Sequence, residues 1–525
     1  MQTASLTKVF KNLDWENFTR ELRIPFLMCL LLLVGMMLSQ KINLTTADLG
    51  RHIKNGEYFL NNLKPIDTNY YSYTQPDHKT INHHWATGPL FYLIWKHAGF
   101  AGLSLVYVLT GVLTFFTVFK TAQSKANFTL ASLLSLLALP LLTSRREVRP
   151  EIFSYLFAAA FYYFLNKYKS RKIPLSVILL LFLLQVVWVN LHILFPVGIM
   201  LVGLFMLDSF VSKNSKSSKL SLGILLSVVC TACLLNPYGF SGALVPFTIF
   251  MNYGYTLAEN QSVFFMQQRF HLPIYIVVEM LAGFLFVTFI PFIKTNPGKY
   301  WLRLVLAVVF TALAFHMVRN FPLLGLFFIP LAAENIYLYL INKASEVKRI
   351  VYQIGGVAVV VMLIFSFSTQ DHIYSAYVKN QGLGLMPGVQ KSAQFFKRVG
   401  IKGPIFNNYD VGGYLIFNLF PEEKVFIDNR PEAYSTEFMQ DTYIQMQEDE
   451  NFWQEMDEKY NFNVIYYYRH DMTPWGQPFL VKRINDDLWE PVFVDDYCLV
   501  MLKRNEKNKT LIEKYALPKT MFRVQ

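Results

Sequence analysis

IPFLMCLLLLVGMMLSQK (residues 24–41) leads almost directly into TTADLGRHIKNGE (residues 45–57). The first string is apolar until its last residues and close to the length a helix needs to cross a hydrocarbon layer. The second reads as a short amphipathic helix at the membrane surface, on the side away from the N-terminus. Asp48, Arg51 and His52 stand at i, i+3 and i+4, so they share one helix face. An acid, a cation and an imidazole then meet at the bilayer edge as one wall of a candidate active site. Two readings of Asp48 compete. Thr45-x-x-Asp48 is a variant capping box, and a carboxylate suits a helix N-terminus on dipole grounds alone. The other reading makes Asp48 a catalytic base.

Outward from this stretch, apolar runs near span length recur at 101–121, 126–143, 151–167, 173–191, 193–211, 219–236, 273–293, 300–318, 321–341 and 350–368. With 53% hydrophobic and only 16% charged residues, the pattern predicts a polytopic α-helical membrane protein of about eleven spans. Residues 84–98 and 240–252 are apolar but short, and suit re-entrant or interfacial helices, or an extra pair of spans. A polar segment precedes the first run and more runs follow it, which marks an anchor rather than a cleaved signal peptide. Four cysteines give no disulfide framework. Cys230-x-x-Cys233 lies in an apolar span without the βαβ context of a redox motif.

The net charge of +12 would raise nucleic acid as a partner for a soluble protein. Here most basic residues fall in short loops, where they set orientation. With Lys8, Lys11, Arg20 and Arg23 in the cytoplasm, alternate loops place Lys120 and Lys125, Lys167 to Lys172, Lys213 to Lys219, Lys294 and Lys299, and Lys343 to Arg349 on the same side. The outer side then receives the long loop 42–100, the loop 237–272 and everything after about 369. The chain divides into a multi-span domain, 1–369, and an extracytoplasmic α/β domain, 370–525. In the latter, strands are predicted at 403–407, 424–428, 463–469, 479–484 and 490–503, with helices at 388–399 and 411–420.

The informative outer residues are those that break the orientation rule. Arg145, Arg146 and Arg149 crowd one outer loop, and Arg319 stands in a later one. Charges at span ends usually have a task, and guanidinium forks match phosphate oxygens. If helical, Arg145 and Arg149 are i, i+4 and grip one anion. The competing reading pairs them with Glu147, Glu151 or Glu259 as structural salt bridges. Histidines also gather outside: His52, the adjacent His83 and His84, and His192 at a span end. A lone histidine at a membrane edge is commonly structural, and no spacing here supports a metal site. No P-loop, dinucleotide fingerprint or nucleophile elbow is present. A carboxylate base, an arginine cradle and a membrane location together fit transfer of a group from a lipid phosphate.

The sequence also resembles the GT-C class of integral-membrane glycosyltransferases, and among them bacterial relatives of the protein mannosyltransferase and lipid A glycosyltransferase families. The first outer loop carries the pattern: Asp48-Leu49-Gly50-Arg51-His52, Gly56-Glu57, Pro65-Ile66-Asp67-Thr68-Asn69-Tyr70-Tyr71-Ser72-Tyr73-Thr74 and His83-His84-Trp85. Arg149-Pro150-Glu151, Trp188-Val189-Asn190-Leu191-His192, Asn236-Pro237-Tyr238-Gly239, Arg319-Asn320-Phe321-Pro322, Asn408–Leu415 and Phe426–Tyr434 resemble later landmarks. The sequence departs from the class in carrying Leu49 and His84 where many members have acids. The resemblance implies a polyprenyl-phosphate-linked sugar as donor, a glycan, lipid or protein acceptor, and a site at the outer face of the cytoplasmic membrane. It makes Asp48 the expected base. Arg51, His52, His83, His84, Arg145, Arg149, His192, Glu259 and Arg319 are the expected substrate and phosphate contacts. The resemblance names no certain cofactor beyond the lipid-phosphate sugar donor, and a divalent metal is left open. Asp428 and Arg430 follow a candidate strand, at a place suited to acceptor binding or to a local ion pair. Two rival functions share the same composition: a polysaccharide or lipid flippase, and a non-catalytic scaffold with a glycan-binding outer domain.

Overall fold

The computed structural model describes residues 21–249, 253–294, 298, 300–368 and 380–522. Lys8, Lys11, Arg20 and Lys299 of the orientation argument lie outside them. Every apolar run forms a helix. Among the described residues, three are long and apolar enough to cross a membrane: Thr87–Lys125, Pro273–Phe292 and Val318–Leu340. Others, such as Arg23–Leu38, Phe128–Leu142, Leu175–Leu191 and Pro196–Val211, are apolar but shorter. Length and composition thus mark three of the expected eleven spans, and the shorter apolar helices coincide with five others. The run at 84–98 forms a helix from Thr87 that breaks at Gly99, whose φ of 62° and ψ of −164° interrupt the helical backbone before the next run continues to Lys125; only a glycine adopts that φ without strain. Residues 240–252 begin as the short helix Gly239–Thr248.

The two ends of the bundle differ. One gathers ion pairs from helix tips: Lys125 with Glu334 at 3.8 Å, Arg303 with Glu334 at 3.7 Å, and Lys169 with Asp208 at 3.1 Å. These include residues of the predicted cytoplasmic loops. The outer arginines and histidines collect at the other end.

The surface helix runs from Leu49 to Asn62 and starts later than its sequence implies. Thr45 does not cap it. Its hydroxyl turns back to Asn43 Oδ1 at 2.5 Å, and Asp48 precedes the first turn without a side-chain capping bond. The capping-box reading therefore fails, and the Asp48 carboxylate is left to other partners. Two glycines let this helix pack closely on both sides. A Cβ on Gly50 would come within 2.7 Å of Gly413 O and 2.8 Å of Phe417 Cβ. A Cβ on Gly56 would run into the carbonyl of Gly88 at the start of the kinked helix. The surface helix is thus clamped between the bundle and the helix Gly412–Leu419 of the C-terminal domain.

That domain holds a four-stranded sheet in the order β1-β2-β4-β3, from β1 (Ile405–Asn407), β2 (Val464–Tyr468), β3 (Trp489–Val494) and β4 (Cys498–Lys503). β1 and β2 are parallel, and the other neighbours are antiparallel. Three strand expectations need correction. The run 490–503 is not one strand but the antiparallel pair β3 and β4. Residues 479–484 lie in the helix Gly476–Asn485, where Phe479, Leu480 and Arg483 are buried at helical spacing. Pro478 in the first turn suits that state. Residues 424–428 make no ladder strand; Val425 forms one isolated bridge with Ser72. The loop at 71–74 pairs with this segment instead. Ser72 Oγ donates to Phe426 O at 3.0 Å, and Tyr73 Oη donates to Ile405 O at 2.8 Å.

A valine at Gly56 has no room against Gly88, so Gly56→Val should destabilise the protein by about 1–3 kcal/mol or more. At Gly203 nothing lies within 4 Å of an added Cβ, and Gly203→Ala should be neutral or stabilising. Unfolding in detergent, followed by circular dichroism, compares the two.

Candidate active site

Seven stretches that are distant in the sequence meet around one cavity of about 670 Å³, counting the space open to solvent. Asp48 enters from just before the surface helix. One of its oxygens lies 3.5 Å from Arg51 Nη2 and the other 3.7 Å from Arg149 Nη1. Arg149 belongs to the turn before the helix Glu151–Lys167. That turn is not helical, contrary to the i, i+4 geometry expected for Arg145 and Arg149, yet it brings both guanidiniums onto one carboxylate. Glu259 Oε2 accepts from Arg145 Nη2 and from Arg149 Nη1, each at 2.8 Å. Arg319 Nη1 approaches the other Glu259 oxygen at 3.6 Å and donates to Asn260 Oδ1 at 3.1 Å. The Val318 N–H bonds Gln261 O at 3.0 Å, which pins the two turns together. Arg145 also grips Glu151 at 2.7 Å, and Arg149 grips Glu147 at 2.8 Å.

The expected phosphate-binding arginines are therefore ion-paired in this structure, and Glu259 sits where three guanidiniums converge. Burial alone would raise the Glu259 carboxyl. Arg149, Arg145 and Arg319 overcome that and hold it well below the usual carboxylate range. Arg145 lies behind the cavity wall; Arg149, Arg319 and Glu259 line it.

Four imidazoles form the opposite wall. Ring centroids are 5.5 Å apart for His52 and His84, 3.9 Å for His83 and His84, and 5.1 Å for His84 and His192. The turn that carries His83 and His84 is moored by Trp85, whose Nε1 donates to Asn190 Oδ1 at 2.7 Å. His192 is oriented from below: Trp188 Nε1 donates to Ser154 Oγ at 2.7 Å, and Ser154 Oγ meets His192 Nδ1 at 2.7 Å. The Leu194 N–H points at the same ring nitrogen, so Nδ1 is the acceptor and Nε2 carries the proton. Burial, then neighbouring cations and imidazoles, pushes His52, His84 and His192 well below 6.5, and His83 to about 3. The cluster is uncharged at neutral pH. Among the described residues, no three His, Cys, Asp or Glu side chains are arranged to hold a metal ion.

The structure places Asp428 and Arg430 elsewhere. Arg430 Nη2 lies 2.6 Å from Asp428 Oδ2, and Arg430 also donates to Asn69 at 3.0 Å. Asp428 is fully buried and Arg430 nearly so. They are a structural ion pair within the domain rather than cavity-wall residues. The residues of this segment that line the cavity are Asn429, Pro431 and Glu432, which the sequence pattern did not single out. Burial raises the Glu432 carboxyl, partly offset by Arg51.

No protein-family profile and no curated protein matches the sequence. Solved structures do match. An Archaeoglobus fulgidus oligosaccharyltransferase in complex with Zn and sulfate superposes with a TM-score of 0.51 at 12% identity, covering 89% of this chain and 71% of the other. The same enzyme with an acceptor peptide tethered by a disulfide bond gives 0.54 at 12%, covering 93% and 75%. ArnT from Cupriavidus metallidurans bound to undecaprenyl phosphate gives 0.54 at 11%, covering 94% and 99%. The chain has a GT-C fold. In this GT-C fold the cavity lies where the first outer loop, the helix tips and the C-terminal domain join.

The imidazoles also set a stability limb. In the unfolded chain they titrate near 6.5, whereas the folded chain resists their protonation. They leave stability unchanged above about pH 6.5. As pH falls from 6.5 toward 3, the unfolded chain binds protons that the folded chain refuses, and stability drops. The melting temperature in detergent should fall across that window, and His83→Gln should flatten the slope relative to the unsubstituted chain.

Proposed function

We propose that this protein is a glycosyltransferase that moves a sugar from a polyprenyl-phosphate donor to an acceptor at the outer face of the cytoplasmic membrane, with inversion at the sugar carbon. The N-terminus is then cytoplasmic and the C-terminal domain extracytoplasmic. The observation that carries the reading is the shared cavity in which Asp48 stands 3.7 Å from Arg149 while three guanidiniums converge on one carboxylate. A base and an anion slot stand side by side.

In the transfer, the acceptor oxygen forms a bond to the sugar C1 as the C1–O bond to phosphate breaks. The acceptor's proton passes to the Asp48 carboxylate. The phosphate leaves with the electron pair of the broken bond, and Arg149, Arg319 and Arg145 balance its charge. Arg51 holds Asp48 from the side away from Arg149. The four neutral imidazoles present hydrogen-bonding edges to the donor without adding charge to the site. Glu259 competes with the donor phosphate for the same guanidiniums, so it must give up part of its hold when the donor enters. A transporter needs none of this pairing between a carboxylate and an anion slot.

Asp48→Asn should lower release of undecaprenyl phosphate from undecaprenyl-phosphoryl sugars by about 10²-fold or more while expression is unchanged. Equal activity would remove the base role. Undecaprenyl phosphate itself, titrated into the detergent-solubilised protein, should bind about tenfold more weakly to Arg319→Ala and several-fold more tightly to Glu259→Gln. Identical affinities in all three proteins would place the phosphate elsewhere.

A further inference from the structure

Among the described residues that line the cavity, one alone carries a hydroxyl: Tyr253. The sequence pattern did not single it out. The residue is half-buried. Its hydroxyl has no hydrogen-bond partner and no ion pair, and the oxygen is accessible rather than enclosed. The phenol is therefore an unspent group open to whatever occupies the cavity.

The backbone around it is fixed at both ends. The next residue, Gly254, has a φ of 74°, and an added Cβ there would come within 2.8 Å of Thr436 O in the C-terminal domain. Tyr255 stacks on Tyr409 with ring centroids 4.3 Å apart. Farther along, the 3-10 turn Ala258–Asn260 carries Glu259, and Gln261 O accepts from the Val318 N–H beside Arg319. Tyr253 and Glu259 thus belong to one loop, moored to the C-terminal domain at one end and to the turn of Arg319 at the other.

Three charged neighbours act on the phenol: Glu432, Arg319 and Glu259. Arg319 and Glu259 are the groups between which a phosphate would exchange. Burial and the two carboxylates push the phenol up to about 12, with Arg319 opposing, so at neutral pH it keeps its proton. Acids and guanidiniums around the cavity nearly balance, and a bound phosphate adds negative charge to that balance. A fifth guanidinium would be captured by Glu259 before the phosphate came. A neutral O–H escapes that capture and still donates to an anion. We propose that the Tyr253 hydroxyl is a further phosphate-binding group, donating to a non-bridging oxygen of the donor phosphate once Glu259 yields the arginines. This rests on the glycosyl-transfer reading of the same cavity. As the C1–O bond breaks and its electron pair leaves with the phosphate, the hydrogen bond strengthens, and the phenol proton stays on Tyr253.

The full-length protein in detergent, titrated with undecaprenyl phosphate and separately with undecaprenol, tests this. Tyr253→Phe removes one oxygen and should weaken undecaprenyl phosphate by about tenfold. Undecaprenol, which has no phosphate, should not distinguish the variant from the unsubstituted protein. The loss should persist when Glu259→Gln is the background, so the double substitution also binds about tenfold more weakly than Glu259→Gln alone. Equal undecaprenyl phosphate affinity in Tyr253→Phe and the unsubstituted protein overturns the proposal. So does an equal loss for undecaprenol, which marks a packing role. A loss that vanishes in Glu259→Gln overturns it too, because the hydroxyl then serves Glu259 instead of the ligand. Failure of the broader reading looks different: undecaprenyl phosphate then fails to bind the unsubstituted protein, or binds without regard to Arg319→Ala, and this proposal falls with it.

Discussion

A carboxylate buried among guanidiniums is the constraint on which this end of the helix bundle and its junction with the C-terminal domain depend. Glu259 belongs to a three-residue turn with no core of its own, yet it joins Arg145, Arg149 and Arg319. Each arginine also holds another acid: Glu151 for Arg145 and Arg319, Glu147 and Asp48 for Arg149. An isolated ion in so enclosed a place is expensive, and breaking one partner of a buried pair is costlier than never having it. The lattice therefore locks together segments that are far apart in the chain. It also leaves the site close to electrically balanced, so on the proposed reading a phosphate enters by exchange with Glu259 rather than by filling an empty positive hole.

The imidazole wall follows from the same charge lattice. Arg51, Arg145 and Arg319 act on rings already stripped of water, and protonating any of them would add a cation beside existing ones. The cavity thus has an ionic face and a neutral polar face. On the proposed reading this division matters. Charge is concentrated where the leaving phosphate sits, and the neutral face meets hydroxyl-rich groups without competing for it. The fixed proton on His192, set by Trp188 and Ser154, extends that order below the surface.

Much of this wall was legible because the relevant signals are local or violate a strong rule. The i, i+3, i+4 spacing of Asp48, Arg51 and His52 survives even though the helix begins one residue after Asp48. The outer arginines stood out against the orientation bias. Whether they face an anion or their own glutamates was not legible, because Glu259 lies more than a hundred residues from Arg145 and only the folded chain shows the approach. Asp428 and Arg430 attracted notice for their charge and their place after a strand-like run. In a turn, however, neighbouring side chains point in different directions, and the less conspicuous Asn429, Pro431 and Glu432 are the ones that line the cavity. The false strand at 479–484 had the apolar content of a strand, but tertiary burial on one helical face overrode it.

The glycine contacts explain why the C-terminal domain belongs to the site rather than hanging from it. The surface helix approaches Gly413 through Gly50 and Gly88 through Gly56, distances that no side chain bridges. Gly412 packs in turn against the backbone at Ile427 and Asp428. A single stack of backbone contacts thus runs from the bundle through the surface helix to the strand-like segment before Asn429. Asp48 lies at one edge of this stack and the Asn429–Glu432 turn at another. Any shift of the domain that opened a gap at Gly50 would carry Asn429, Pro431 and Glu432 away from Asp48 across the cavity. Close packing at the glycines is therefore a condition for the geometry of the cavity, and it accounts for residues that carry no chemistry in the stretch between Asp48 and Glu57.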